Sequence, residues 1–240
     1  MAIINAADLG YDQLNQQLKA QQENCVVQNC LGHRFLAVGL EEHTVVVEGI
    51  AGNALGAYLN GAEIIVKGNA QDAVGDTMND GKIVVEGNIG DAAGYAMRGG
   101  KIFVKGDAGY RAGVHMKEYQ TKTPVMIIGG RAGSFLGEYQ AGGRIVVLGL
   151  NIGEKRIVGN FPCTGMHGGK MFLRSDCEGV RFPKQVSARA ASKAELEEIR
   201  ADIEEYCHLF GLDVSEIMDS PFTIVTPDSK NPYKQMYVAN

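Results

Sequence analysis

The chain reads Val45-Val-Val-Glu-Gly49, and the same pattern returns every nineteen residues as Ile64-Ile-Val-Lys-Gly68, Ile83-Val-Val-Glu-Gly87 and Ile102-Phe-Val-Lys-Gly106. A run of β-branched residues that ends at a glycine is typical of a short strand. A fixed period of this length indicates one structural unit stacked on copies of itself. Nineteen residues are too few for a strand, a helix and a return. The sequence therefore predicts an all-β fold, a single-stranded right-handed parallel β-helix.

Glycines recur at fixed positions within the repeat. The pattern G-x-x-G-x-x-x-G begins at Gly49, Gly87, Gly106 and Gly130. The chain has 32 glycines in 240 residues, and each one inside a regular element costs about 0.5–1 kcal/mol relative to alanine. We expect geometry to require them, because the corners of a coil need a positive φ or a close approach of two backbones.

Two rows of residues at the nineteen-residue interval indicate how the coils stack. The first row is apolar and is predicted to point into the core. It consists of Leu59, Met78, Met97 and Met116. The second row alternates in charge and consists of Glu48, Lys67, Glu86 and Lys105. Stacked neighbours lie about 4.8 Å apart, where opposite charges contribute about 0.2–1 kcal/mol per pair.

The repeat divides the chain into three parts. About seven coils fit between residues 41 and 175, well above the minimum that a solenoid needs. They are interrupted by a loop at 117–124 and by a longer excursion at 151–162. The open ends of a parallel stack expose unpaired backbone, so the non-repetitive flanks, 1–40 and 176–240, are predicted to cover them.

Both flanks contain helical signals. Residues 11–21 are polar and predict a helix. Ser192 and Glu195 have the spacing of a capping box, and Gly211 has the position of a C-terminal stop, so a second helix is predicted between them. The Pro-containing segment 222–240 is expected to be extended and to lie against a neighbouring surface.

Composition narrows the functional classes. The formal net charge is −5 and there is no basic cluster, which disfavours nucleic-acid binding. The sequence has no apolar stretch near eighteen residues and no charged-then-apolar leader, so we expect a soluble, cytoplasmic chain with no membrane partner. The five cysteines lack the spacing of a zinc or iron–sulfur site and are predicted to be reduced, mostly buried thiols.

Candidate catalytic residues are few. Cys163 and His167 have the residue types of a nucleophile and a base, but their segment ends in the Gly-Gly-Lys-apolar step that opens other coils. Residues 75–82 have one residue too many for a phosphate-binding loop, and Ile83 follows where serine or threonine is needed. The five histidines lie far apart, without metal-ligand spacing. The sequence therefore predicts no catalytic, cofactor-binding or metal-binding residues and no bound cofactor.

The repeat carries a resemblance to a known domain. The G-x-x-G-x-x-x-G coils, together with Gly142-Gly-Arg-Ile-Val-Val-Leu-Gly149 and Thr164-Gly-Met-His-Gly-Gly169, resemble the GXGXG β-helix domain, domain 3 of the large (alpha) chain of glutamate synthase. Residues 30–34, Cys-Leu-Gly-His-Arg, resemble the start of its first coil, so the likeness spans about 30–175. The β-helix subunit of formylmethanofuran dehydrogenase and small subunits of methylglutamate enzymes are similar to the same domain.

This resemblance implies a function. In glutamate synthase an N-terminal cysteine hydrolyses glutamine and a barrel domain binds FMN and an iron–sulfur cluster, while the β-helix holds these domains in position. A chain that carries the β-helix and begins Met-Ala is expected to be the non-catalytic scaffold subunit of a split glutamate synthase, which converts glutamine and 2-oxoglutarate to glutamate. The implied partners are a glutaminase-type amidotransferase subunit and an FMN/iron–sulfur synthase subunit. The loop 117–124, the excursion 151–162 and the tail are predicted to face them.

Two alternatives stay open. In the first, the same β-helix serves another redox complex, of the formylmethanofuran dehydrogenase or methylglutamate synthase type. In the second, the chain is a stand-alone enzyme that uses Cys163 and His167. Co-purifying subunits distinguish the complexes, because molybdopterin subunits favour the first alternative over glutamate synthase.

Overall fold

A computed structural model of the protein describes residues 1–228. Nine strands lie side by side in one parallel sheet, in the same order as in the chain. They are β1 (Ala2–Asn5), β2 (Cys25–His33), β3 (Thr44–Ala51), β4 (Asn60–Val66), β5 (Asp80–Val85), β6 (Lys101–Val104), β7 (Val125–Ile128), β8 (Ala141–Val147) and β9 (Gly168–Leu173). The sheet is one wall of a solenoid of about eight turns. The predicted parallel β-helix is confirmed, with one turn more than the sequence count.

Pairing between successive coils follows the nineteen-residue register. Ile64 pairs with Ile83, and Ile83 pairs with Ile102, so equivalent side chains stack in the interior. Every member of the apolar row, from Leu59 to Met116, is 0 % exposed. In the charged row, Lys67 Nζ lies 2.6 Å from Glu86 Oε1. The interior assignment of the apolar row is therefore confirmed, and one opposite-charge pair of the second row is formed.

Residues of both flanks belong to the sheet. Parallel pairing starts with β1 and β2, which precede residue 41. Helix α1 (Tyr11–Ala20) connects these strands and buries Leu14 and Leu18 against the interior core. At the other end, β9 pairs antiparallel with β11 (Thr223–Pro227), which pairs antiparallel with β10 (Val186–Ala190). The edge of β9 is thereby paired with residues of the C-terminal flank.

The predicted C-terminal helix is present as α2 (Lys193–Phe210). Ser192 and Glu195 form the capping box, and Gly211 ends the helix with φ 66°. A short helix, α3 (Val214–Met218), follows it. Of the tail that was expected to be extended, the first part forms β11, and residues 229–240 lie outside the described residues.

Helix α2 creates a second core on the outer face of the sheet. Successive residues of a strand point to opposite faces, so β7 sends Met126 and Ile128 into the solenoid and Val125 and Ile127 outward. All four are buried. The outward residues of β6 to β9 pack against Ile199, Ile203, Tyr206 and Cys207 of α2. The C-terminal half of the sheet is thus covered on both faces.

Candidate functional site

The outer face of the sheet carries a row of charged residues. Glu63, Lys82 and Lys101 are direct partners in β4, β5 and β6. After one apolar position in β7, the row continues with Arg144 and Lys170. Like charges on adjacent strands repel one another, so four cations in this row require acidic partners.

Helix α2 supplies those partners. Glu198, Asp202 and Glu205 are four and three residues apart, a spacing that places them on one face of a helix. The ion pairs are Lys170–Glu198 (2.6 Å), Arg144–Asp202 (3.0 Å), Lys101–Asp202 (2.8 Å), Lys101–Glu205 (2.6 Å) and Lys82–Glu205 (2.9 Å). Asp202 is only 4 % exposed and binds two cations. The helix is therefore held in one register on the sheet by charge as well as by apolar contact.

A cleft of about 570 Å³ opens where α2 ends over β4 to β6. Its charged lining consists of Glu63, Asp80, Lys82, Lys101, Lys122 and Glu205. Lys122, from the interrupting loop, lies 2.7 Å from Asp80, and Lys82 lies 3.0 Å from Glu63. Every lysine of the lining has a carboxylate within 3.0 Å. Because these charges neutralise one another, the cleft positions α2 and offers no uncompensated charge to a small ligand.

The ion pairs shift the titration of their members. Burial by itself raises the pKa of Glu205, but hydrogen bonds and charges from Lys101 and Lys82 hold that pKa below its ordinary value. Burial by itself lowers the pKa of Lys82 and Lys101, but their carboxylate partners raise both above the ordinary lysine value. The folded state thus favours the charged form of all three groups.

We expect the stability of the chain to fall in acid in part through Glu205. Its folded-state pKa is lowered, so its contribution is complete above the ordinary carboxyl pKa of about 4.3 and is lost as the pH falls through the folded-state value. The pKa values of Lys82 and Lys101 are raised in the folded state. Their contribution to stability is therefore complete below about pH 10.4 and is lost as the pH rises through the folded-state values. Glu205→Gln should remove about 0.5–1.5 kcal/mol at pH 7 and less at pH 3, measured by urea denaturation.

Glu178→Gln is the matched control for this effect. Glu178 is exposed and makes no ion pair within the described residues, so its replacement should leave the stability unchanged at both pH values. Equal losses for Glu205→Gln at pH 3 and pH 7 would contradict the assigned role of the ion pairs.

The structure does not connect Cys163 to His167. The Cys163 thiol is 0 % exposed and lies 3.6 Å from the sulfur of Met171. Burial raises its pKa to about 12, and Cys177 adds to the effect. His167 Nδ1 contacts the carbonyl oxygen of Gly165 at 3.0 Å. A thiol held in its neutral form inside the solenoid is a poor nucleophile, so this geometry favours a structural role.

All five cysteines are free and buried, as the sequence predicted. Within residues 1–228 there is no group of three or more His, Cys, Asp or Glu side chains that could hold a metal ion. The same part of the chain contains no helix that is long and apolar enough to cross a membrane.

Sequence reasoning missed the ion pairs on this face. Two signals were present. Lys82, Lys101 and Arg144 occupy equivalent positions of β5, β6 and β8, and the acids of α2 recur at helical spacing. Matching the two sets would have predicted where the helix docks.

A solenoid with glycines at its corners places the chain in a class of repeat proteins. Comparison with known families identifies the family within that class. The model of the GXGXG motif family matches residues 13–227, so the chain belongs to this family. It is 42 % identical over 251 residues to "Uncharacterized protein MJ1350" of Methanocaldococcus jannaschii, a match that covers 98 % of this chain and 95 % of that protein.

A solved structure supports the fold. A chain of the formyltransferase/hydrolase complex (FhcABCD) from Methylorubrum extorquens, crystallised with methylofuran, superposes with a TM-score of 0.64. The match covers 95 % of this chain and 91 % of that chain at 17 % sequence identity. At this identity the likeness shows a shared fold.

Proposed function

We propose that this chain is the non-catalytic scaffold subunit of a split glutamate synthase, acting in the cytoplasm. The observation that carries the proposal is the extent of the GXGXG family match, which takes in residues 13–227 and leaves almost nothing of the described chain outside that one domain. In the glutamate synthase chains that this domain resembles, it holds the catalytic domains in place. Here it would position an amidotransferase subunit and an FMN/iron–sulfur synthase subunit.

The fold suits that role physically. Successive coils of a parallel solenoid are about 4.8 Å apart, so nine paired strands make a wall about 38 Å long. Each coil contacts its neighbours through the sheet and the interior rows, which makes a rod that keeps two bound subunits at a fixed separation. The sheet face and the projecting loops offer separate surfaces to each partner.

A second candidate rests on the structural match. The solved neighbour is a chain of a formyltransferase/hydrolase complex. A β-helix subunit in a complex of that chemistry, or of the formylmethanofuran dehydrogenase type, would use the same rod with different catalytic partners. The two candidates therefore differ in the subunits that bind and agree on the role of this chain.

Affinity purification of the tagged chain from its own cells tests the proposal. We expect an amidotransferase and a synthase chain in the eluate by mass spectrometry, together with the absorbance of a flavin. Formyltransferase, hydrolase or molybdopterin subunits in their place would overturn glutamate synthase and support the second candidate. Recovery of the chain alone, from gentle lysis and at micromolar concentration, would contradict both.

A further inference from the structure

The outer face of the sheet carries an apolar row as well as the charged one. Register places one outward residue of each strand from β1 to β9, and one of β11, in this row. Its members are Ile3, Val26, Val46, Ile65, Val84, Phe103, Ile127, Val146, Phe172 and Ile224. From Val84 to Ile224 the side chains are 0–3 % exposed. The part of the row from Phe103 onward belongs to the core that α2 completes.

Helix α2 covers only part of this row. Its C-terminal end reaches Phe103 through Tyr206, whose ring centroid lies 5.9 Å away, and reaches Lys82 through Glu205. Beyond that point Ile3 is 68 % exposed, and Val26, Val46 and Ile65 are partly exposed. These four residues are named the open stripe. A sheet with one face in water normally places polar residues on that face, so four adjacent β-branched apolar residues there indicate a contact surface.

The charges beside the open stripe differ from those beneath α2. Under α2 the charged row beside the apolar row is basic and pairs with the acids of the helix. Beside the open stripe the corresponding positions are Thr44 and Glu63, and Glu48 and Lys67 flank the other side. Glu63 is paired with Lys82, and Lys67 is paired with Glu86. Exposed Glu41 and Glu42 immediately precede β3. Within residues 1–228, Glu41, Glu42 and Glu48 have no cation within ion-pair distance, so the uncompensated charges on β3 and just before it are acidic.

We propose that the open stripe is the docking site for an amphipathic helix of a partner subunit, with lysine or arginine beside its apolar face. The inference rests on the proposed scaffold function, because it assumes a partner. The open stripe continues the α2–sheet interface without a break in register, so a second helix placed in line with α2 would extend the same packing. Three intervals of about 4.8 Å make the stripe about 14 Å long, which three turns of helix would cover.

Charge disfavours a second copy of this chain as the occupant. A two-fold contact through the open stripe would bring the unpaired Glu41, Glu42 and Glu48 of one copy toward the same residues of the other. Like charges in close contact oppose association. A basic amphipathic helix would pack its apolar face on the open stripe and place its cations beside the acids. The charges are then the reverse of those at α2, whose acids pair with a basic row.

Cysteine labelling of the purified complex tests the inference. The five native cysteines are buried, so a single Ile65→Cys or Val46→Cys variant should provide the only readily reactive thiol of the chain. We expect maleimide to label it in the free chain and to label it at least tenfold more slowly in the complex. Tyr110→Cys is the control, because Tyr110 is 56 % exposed in the turn after β6 and should react equally in both states.

A benzophenone maleimide attached to the introduced thiol of the Ile65→Cys variant then identifies the occupant. Crosslinks to partner residues spaced by three or four, with lysine or arginine among their neighbours, are expected for a basic helix. Crosslinks at every second residue would indicate a strand and overturn the helix. Crosslinks to this same chain, or a thiol already unreactive in the free chain, would show that its own residues or a second copy cover the stripe and would overturn the inference.

The failure of this inference is distinguishable from failure of the proposed function. If the partner subunits co-purify while the Ile65→Cys thiol reacts equally in the complex and the free chain, the docking site is wrong and the scaffold function stands. As a second readout, the double variant Val46→Thr/Ile65→Thr keeps β-branched side chains and should bind the partner about tenfold more weakly, with Tyr110→Ser as control. An unchanged affinity would also overturn the docking site.

Discussion

Replacement of Met97 by lysine is expected to leave no folded chain. Met97 is 0 % exposed and lies in the interior row between Met78 and Met116, one coil away on either side. No carboxylate reaches this row within the described residues, so a lysine there would bury its amine without a partner. An uncompensated buried charge costs several kcal/mol, a large part of the roughly 5–15 kcal/mol that stabilises a typical domain. Circular dichroism and the soluble fraction on expression measure the outcome.

Two substitutions act as controls for this result. Met97→Leu conserves volume and should cost less than about 1.5 kcal/mol. Glu86→Gln removes the 2.6 Å pair with Lys67, but both side chains are well exposed, so it should cost less than about 1 kcal/mol. If Met97→Lys were as stable as Glu86→Gln in thermal unfolding, the interior position of this row would be wrong.

The interior of the solenoid was predictable because it repeats. A side chain at the position of Met97 has the same surroundings as Met78 one coil earlier, so the sequence period alone determines which residues stack. The same repeat predicted the strands and their parallel register. It also gave the Lys67–Glu86 pair, since neighbours in one row of a parallel stack are set one strand spacing apart.

The docking of α2 was not predictable in the same way. Asp202 and Lys101 are far apart in the chain, and no period relates a helix to the strands it covers. Besides the matching charges of the strands and of α2, a further local signal was available. The run Val125-Met-Ile-Ile128 is apolar at every position and is buried on both faces, whereas β3 alternates buried and partly exposed residues in its first half. Continuous apolar strands indicate a sheet covered on both sides, and the apolar Val125 at the otherwise charged position marks β7 as such a strand.

The sequence left two possible causes for the glycines, a positive φ or a close approach. The structure assigns the first to Gly94 and the second to Gly90. Gly94 has a φ of 67°, in the left-handed region that glycine tolerates best. Gly90 has no positive φ. Instead, a Cβ on Gly90 would overlap the Oδ1 atom of Asp72 in the preceding coil. That oxygen accepts a hydrogen bond from the backbone N–H of Asp91 at 2.9 Å. The glycine leaves room for a side chain that links successive coils.

Gly90→Ala is therefore expected to destabilise the chain by about 3 kcal/mol, because the methyl group must displace either the Asp72 carboxylate or the backbone beside it. Thermal unfolding should shift down by about 6–12 °C. Gly10→Ala is the matched control: Gly10 has a φ of −68° and the nearest atom to its Cβ is 3.7 Å away, so about 0.5 kcal/mol or less is expected. The pair Gly90→Ala/Asp72→Ala should cost less than the sum of the single variants, since the second change removes the overlapping atom. Strict additivity would show that the Asp72 side chain is not the reason for the glycine.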